Sequence, residues 1–205
     1  MALAATVDAG NGLFWCDHRR SLPCVRVVAG DLKGRRIEAP DSEATRPTTD
    51  KVREAVFNAL RSLDVVEGAR VLDLFAGTGA MGIEALSRGA AHCVFVENDR
   101  AALAALRKNL DHLGLSDRST VIASDAVTVA GQQRDVDVVI ADPPYGYSEW
   151  QRLLAGVTAG LVVLESGRPI DAVPGWETIR AKKYGRTHVA FLQPEGEPGD
   201  TVEGE

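Results

Sequence analysis

Residues 142–145 read Asp-Pro-Pro-Tyr and follow directly on an apolar run, Val136 to Ala141. Two successive prolines stop a strand and fix its backbone; they remove two N–H donors but keep their carbonyl acceptors. Asp142 supplies a carboxylate, Pro143 a carbonyl, and Tyr145 a flat face on which a ring can stack. This set suits an exocyclic base amine, which donates two hydrogens and is a poor nucleophile because its lone pair is conjugated into the ring. Two fixed acceptors can hold those hydrogens and turn the lone pair toward an electrophile, and alignment then supplies much of the acceleration. Asp142 can also take the departing proton. The base must be unstacked to reach such a pocket. Asp142, Pro143, Pro144 and Tyr145 are therefore the candidate catalytic residues, although an isolated Asp-Pro-Pro-Tyr reads equally well as a plain turn.

A second constellation lies upstream. Asp73-Leu-Phe-Ala-Gly77-Thr-Gly79-Ala-Met-Gly82 falls where a strand turns into a helix. Its glycines spell GxGxxG, a pattern that dinucleotide sites share. Asp73, inside the strand, would repel a pyrophosphate but suits the cationic amino group of S-adenosylmethionine, and the turn has no basic residue for phosphate. Glu97 ends the next apolar run, 24 positions on, where an acid can hold ribose hydroxyls. Asp125 follows the third run and can accept from an adenine amine. Singly, Glu97 and Asp125 read as solvated strand ends or helix caps. Jointly, three acids at carboxyl ends of strands point to a cofactor edge. The candidate cofactor-binding set is Asp73, Phe75, Gly77, Gly79, Glu97, Asn98, Asp125 and Ala126, with S-adenosylmethionine as the cofactor and no metal.

The elements that must position these groups alternate. Apolar runs at Val71–Phe75, Cys93–Val96, Val121–Ala123, Val136–Ala141 and Leu161–Leu164 predict strands. Between them come a helix to about Ser87, a stripe of Leu103, Leu106, Leu110 and Leu113, and Trp150, Leu153, Leu154 and Val157 on a further helix. Repeated βα units mean an α/β protein with a parallel sheet covered on both faces. Two last runs, Trp176–Ala181 and His188–Leu192, predict an antiparallel hairpin at one edge, joined by Lys182–Arg186. Ahead of the first unit, two short β runs flank Gly30 to Gly34 as a hairpin. A helix then carries Val52, Ala55, Val56, Ala59 and Leu60 on one stripe, with Thr48 or Thr49 as its N-cap.

The net charge of -6 argues against nucleic acid only on average. From Arg19 to Arg36 there are six bases and a single acid, Asp31, whereas the stretch from Pro194 onward carries five acids and no base. Local charge governs phosphate contact. Arg26, Lys33, Arg35 and Arg36 are candidates for RNA contact, or else an ordinary solvated hairpin. No apolar run approaches the ~20 residues that span a bilayer, and the opening stretch makes a poor signal peptide. Three cysteines without zinc spacing fit reduced thiols and a cytoplasmic location.

Several separate blocks resemble one family. Asp-Pro-Pro-Tyr with Asp73-Leu-Phe-Ala-Gly-Thr-Gly resembles the class I amino-methyltransferases. Arg26-Val-Val-Ala-Gly30, Lys33-Gly-Arg35, Arg46-Pro-Thr-Thr through Asn58 and Glu84-Ala-Leu-Ser-Arg-Gly89 look like the RsmD family, the 16S rRNA (guanine(966)-N(2))-methyltransferases. The resemblance runs from about Arg26 to Leu192. It implies a Rossmann-like class I S-adenosylmethionine-dependent methyltransferase fold, with a seven-stranded sheet whose last strand is antiparallel and a small N-terminal hairpin/helix extension. It implies as partner 16S rRNA within the 30S subunit or its assembly intermediate, with the protein a monomer and no membrane involved. It also sets Arg46, Thr48 and Asp50 beside the active site. Arg46, Thr48 and Lys51 join the RNA candidates, although Arg46 also reads as a solvated charge. The expected organisation is a poorly ordered segment 1–24, an RNA-binding hairpin and helix 25–62, a methyltransferase domain 63–193 and an acidic disordered tail 194–205. Within enzymes the rival is a DNA adenine-N6 methyltransferase, against which stands the lack of a sizeable target-recognition domain. A protein glutamine enzyme usually has Asn where Asp142 stands, and Asp73 disfavours an NAD dehydrogenase. From a different class, the chain could be a non-catalytic RNA-binding assembly factor.

Overall fold

The computed structural model describes residues 25–38 and 50–196. The expectations for residues 1–24, for Arg46, Thr48 and the Thr48/Thr49 cap, and for most of the acidic tail lie outside the described residues. In the described part, β1 (Val25–Arg26) pairs antiparallel with β2 (Arg36–Ile37), as the hairpin pattern predicts. Helix α1 (Asp50–Ser62) follows. The βα units are β3 (Arg70–Leu74), α2 (Ala80–Ser87), β4 (His92–Glu97), α3 (Arg100–Leu113), β5 (Ser119–Ala123), α4 (Ala126–Ala130), β6 (Val138–Ala141), α5 (Trp150–Leu154) and β7 (Leu161–Ser166). Strands β8 (Trp176–Tyr184) and β9 (Thr187–Pro194) close the chain.

The seven-stranded sheet has the order β5-β4-β3-β6-β7-β9-β8. β3 pairs parallel with both β4 and β6, so the chain winds to one side and then crosses to the other. β9 runs antiparallel between β7 and β8. This is the Rossmann-like methyltransferase arrangement, with the last strand reversed. The expected edge hairpin is present, and its last strand inserts inward while β8 takes the edge. β6 is buried along its whole length, and β3, β4 and β7 nearly so, because helices cover both faces.

Two features depart from the periodicity. Helix α4, only five residues long, was not signalled by any apolar stripe. Helix α5 ends at Leu154, and Val157 lies beyond it. The leucines of α3 are buried as predicted; Asp99 caps its N-terminus by accepting from Ala102 N at 2.8 Å, and Gly114 ends it in the left-handed conformation.

The N-terminal hairpin shares a core with the sheet. Val25, Val27 and Ile37 join Val52, Val56, Phe57 and Leu60 of α1 against Ile83 and Leu86 of α2. A buried carboxylate makes the polar joint. Glu84, on α2, accepts from Val28 N at 2.7 Å and Ala29 N at 3.0 Å. It also pairs with Arg88 Nε at 2.7 Å and Arg53 Nε at 3.5 Å, and both Glu84 and Arg53 are fully buried. At the hairpin tip, Asp31 N donates to Ser87 O and Leu32 N to Ser87 Oγ. Gly30 has φ +79°, and a Cβ there would stand 1.8 Å from Ser87 O, so only glycine allows this approach. We predict that Glu84→Ala costs about 3–5 kcal/mol, because it removes the buried carboxylate facing Arg53 and Arg88 and leaves two backbone amides unmatched. A urea midpoint within error of the parent would contradict this.

Candidate active site

One cavity of ≈ 720 Å³ opens at the carboxyl ends of the central strands, where the winding reverses. Its size is that of a nucleoside-sized ligand site. Asp73 and Phe75 enter it from β3, Glu97, Asn98 and Asp99 from the end of β4, Asp142 to Tyr145 from β6, and Glu165 to Gly167 from β7. The sequence-predicted catalytic and cofactor groups thus converge, with three exceptions: Gly79, which turns the chain into α2 without lining the cavity, Asp125 and Ala126. Asp125 does not line the cavity: it is exposed and caps α4, accepting from Thr128 N at 3.0 Å, while Ala126 is buried in that helix. Of its two readings, the helix cap is the one that the structure shows.

The glycine turn and the acids are interlocked. Asp73 is buried and accepts from Gly82 N at 2.8 Å, nine residues on. A Cβ at Gly82 would lie 2.3 Å from the Phe95 ring, so the helix can approach β4 only with glycine there. Glu97 accepts from Gly77 N, Asn98 N and Asp99 N, each at 2.8 Å. Both acids therefore shape the loop as well as facing the cavity, a second task that spacing alone does not disclose. Gly79 precedes α2 at φ 85°, and the position of a Cβ on Gly77 is open space. Phe75 has φ 60°, uncommon for a non-glycine residue, and its ring meets Tyr147 edge-on at 5.4 Å. Such strain, of order 1–3 kcal/mol, persists where the surrounding structure enforces it, commonly at ligand sites.

The electrostatics favour a cation. Desolvation raises the Asp73 carboxyl to about 7, and the charges of Asp142 and Glu97 add to the rise against the opposing Gly82 hydrogen bond. Glu165 is raised to about 8, by burial first and Asp142 second. Sequence reasoning missed Glu165, although it ends an apolar strand as Glu97 does. A cavity walled by Asp73, Glu97, Asp142 and Glu165 repels a dinucleotide's pyrophosphate, and it fits a ligand that carries an ammonium and a sulfonium. Tyr145 is 66% exposed, and its ring lies over Gly167, where a Cβ would come 2.8 Å from Tyr145 Cδ1.

The basic candidates divide. Lys51 lines the cavity, whereas Arg26 is exposed and donates to Gly34 O of the hairpin at 2.9 Å. Lys33 is exposed on the hairpin tip that docks at the C-terminal end of α2, and Arg35 donates to His112 O near the end of α3. These two lie at the helix ends remote from the cavity, about 12 Å away along the eight-residue α2. Arg36 is exposed on β2. Of the β8–β9 connection, Tyr184, Gly185, Arg186 and Thr187 line the cavity, whereas Lys182 and Lys183 line a separate depression of ≈ 230 Å³. Among the described residues no helix is long and apolar enough to cross a membrane.

The comparisons agree with this geometry. The family model described as Conserved hypothetical protein 95 matches residues 25–193. YlbH of Bacillus subtilis (strain 168) is 37% identical over 186 residues, covering 84% of this chain and 100% of that protein. Ribosomal RNA small subunit methyltransferase D of Escherichia coli (strain K12) is 43% identical over 122 residues, 59% of this chain and 60% of its own length. The solved structure of yhhF from Escherichia coli superposes with a TM-score of 0.74 at 36% identity, covering 85% of this chain and 99% of that one.

The unfolded chain loses the Asp73 proton near pH 4, whereas the folded chain keeps it to about 7. This group's contribution to stability is therefore present at low pH and is lost as pH rises through that window. We predict that Asp73→Asn flattens this part of the stability profile. Binding of S-adenosylmethionine should tighten between about pH 5.5 and 7 in the parent, as the carboxylate ionises, and lose roughly 10–100-fold in the variant. Urea titrations and calorimetry across that range check both; a parallel slope in the variant would refute the assignment.

Proposed function

From the premise that the chain belongs to the Conserved hypothetical protein 95 family, that of the RsmD methyltransferases, we propose that it methylates the exocyclic N2 of a guanine in small-subunit ribosomal RNA. S-adenosylmethionine, the cofactor, supplies an electrophilic methyl group when bound. The observation that carries the reading is the convergence of Asp142-Pro-Pro-Tyr145 with Asp73 and Glu97 in one cavity. The E. coli relative's name supports small-subunit rRNA as the substrate.

In this reading Asp73 receives the ammonium, Glu97 the ribose, and Phe75, Gly77 and Asn98 form the walls of the cofactor site, with Gly79 turning the chain into α2. The base enters by flipping from its stack and lies against Tyr145. Asp142 and the Pro143 carbonyl accept the two amine hydrogens, so the nitrogen lone pair faces the reacting methyl. Pro143 and Pro144 keep the acceptors rigid. As positive charge grows on nitrogen, Asp142 stabilises it and takes or relays the proton.

Residues 25–62 serve as the RNA-binding extension of a methyltransferase unit that runs from 63 to 193. Lys51 meets phosphate near the mouth, while Arg26, Lys33, Arg35 and Arg36 meet a more distant stretch of the same RNA. Arg46 and Thr48 belong to the same proposed surface. We place the protein in the cytoplasm as a monomer, acting on a 30S particle or its assembly intermediate.

The test uses tritiated S-adenosylmethionine and 30S particles lacking the modification. Label in N2-methylguanosine of 16S rRNA is expected; label in N6-methyladenosine would overturn the base assignment. Asp142→Ala should abolish turnover while leaving cofactor affinity within about threefold, since its loss falls on transition-state alignment. Equal loss of both would move Asp142 into the cofactor site.

A further inference from the structure

Glu165 has no part in the mechanism above. It sits at the carboxyl end of β7, and Ala141 pairs with Leu164, so Asp142 and Glu165 occupy the next rung of adjacent parallel strands. Neighbouring strands lie about 4.8 Å apart, which makes the two carboxylates neighbours on one edge of the cavity. Both line it. Glu165 Oε2 is buried and has no hydrogen-bond partner among the described residues. Buried acceptors are normally matched by donors, so an unmatched one on a cavity wall calls for a donor from the ligand. Tyr145 stands against Gly167, two residues along, so the proposed stacking ring and Glu165 share one side of the cavity.

We propose that Glu165 reads the substrate base as guanine: its carboxylate accepts the ring N1–H while Asp142 and the Pro143 carbonyl hold the adjacent amine. The assignment rests on the guanine-N2 reading above. On guanine the N1–H and the exocyclic amine are adjacent donors on one edge, matching two adjacent carboxylates. Adenine sets an N1 lone pair beside its amine, which faces an ionised Glu165 as acceptor against acceptor. Burial and the charge of Asp142 hold Glu165 up at about 8 in the free protein, and an arriving N–H donor favours its ionised form. A site built to pair a substrate N–H discriminates strongly against analogues that lack it.

2-Aminopurine tests this, because it keeps the 2-amine and lacks the N1–H. The substrates are 30S particles reconstituted with 16S rRNA carrying guanine or 2-aminopurine at the target. Above about pH 8, where Glu165 is ionised, the parent should prefer guanine by roughly tenfold or more in kcat/KM, and the preference should shrink toward neutral pH as Glu165 takes up its proton. Glu165→Gln, whose amide can accept from one base or donate to the other, should bring that ratio to within about threefold of unity. Glu165→Ala should slow guanine by about tenfold or more without speeding 2-aminopurine. Unchanged affinity for S-adenosylhomocysteine and an unchanged thermal midpoint would establish that both variants are folded. A preference that survives in Glu165→Gln, or a parent that does not discriminate, overturns the role of Glu165 while N2-methylguanosine labelling stands. Parent label in N6-methyladenosine overturns the guanine reading and this proposal with it.

Discussion

Four carboxylates facing one cavity from the ends of four parallel strands repel one another, and their sheet cannot relax to separate them. Burial first, with the neighbouring acids adding to it, makes Asp73 and Glu165 hold their protons to about 7 and about 8. Glu97 is stabilised by three backbone amides, and Asp73 by one. That cost is built into the fold because β3, β4, β6 and β7 pair in register, which fixes where each strand stops. A cationic ligand relieves the repulsion, so the property that penalises the empty cavity favours an ammonium and a sulfonium within it.

The same economy of acids appears on the N-terminal side. Glu84 is buried on α2, yet every neighbour it touches lies in a different segment: Arg53 on α1, Arg88 just past its own helix, and two amides of the hairpin. A buried ion pair adds little net stability by itself. Its effect here is positional, since Val28 and Ala29 can donate to only one carboxylate. The hairpin is thereby fixed along α2, which starts at the cavity and ends under the hairpin tip. Asn109 adds a second anchor, bonding Glu38 through both amide groups and also Thr78 of the glycine turn.

Much of this was legible in the sequence because it is local. Apolar runs disclosed the strands, the leucine spacing disclosed α3, and Asp142-Pro-Pro-Tyr145 kept its place at a strand end. What was not legible depends on distant neighbours. The burial of Arg53 has no local signal and depends on Glu84, 31 residues away, standing opposite it. Among the acids at strand ends, Asp125 caps α4, whose five residues are too few to show a stripe, while Glu165, which lines the cavity, was not among the candidates. Spacing cannot show that Asp73 and Glu97 also hold glycine amides, because the partners are set by the turn's own geometry.

The reversed last strand explains how an acidic chain can meet a polyanion. Had the strand beside β7 run parallel to it, that strand's beginning would lie away from the cavity edge. Because β9 runs the other way, Tyr184 to Thr187 come to the carboxyl edge and bring Arg186 to the cavity, where Lys51 of α1 also stands. Both cations are exposed, whereas Asp73 is buried and Glu165 largely so. The charges are thus sorted by depth, cations at the rim and acids inside. Screening separates surface charge from charge beyond about 8–10 Å in physiological salt, so phosphates at the rim sense the cations before the acids. The net charge of -6 is therefore a poor guide to what this surface attracts, and the depth of each charge a better one.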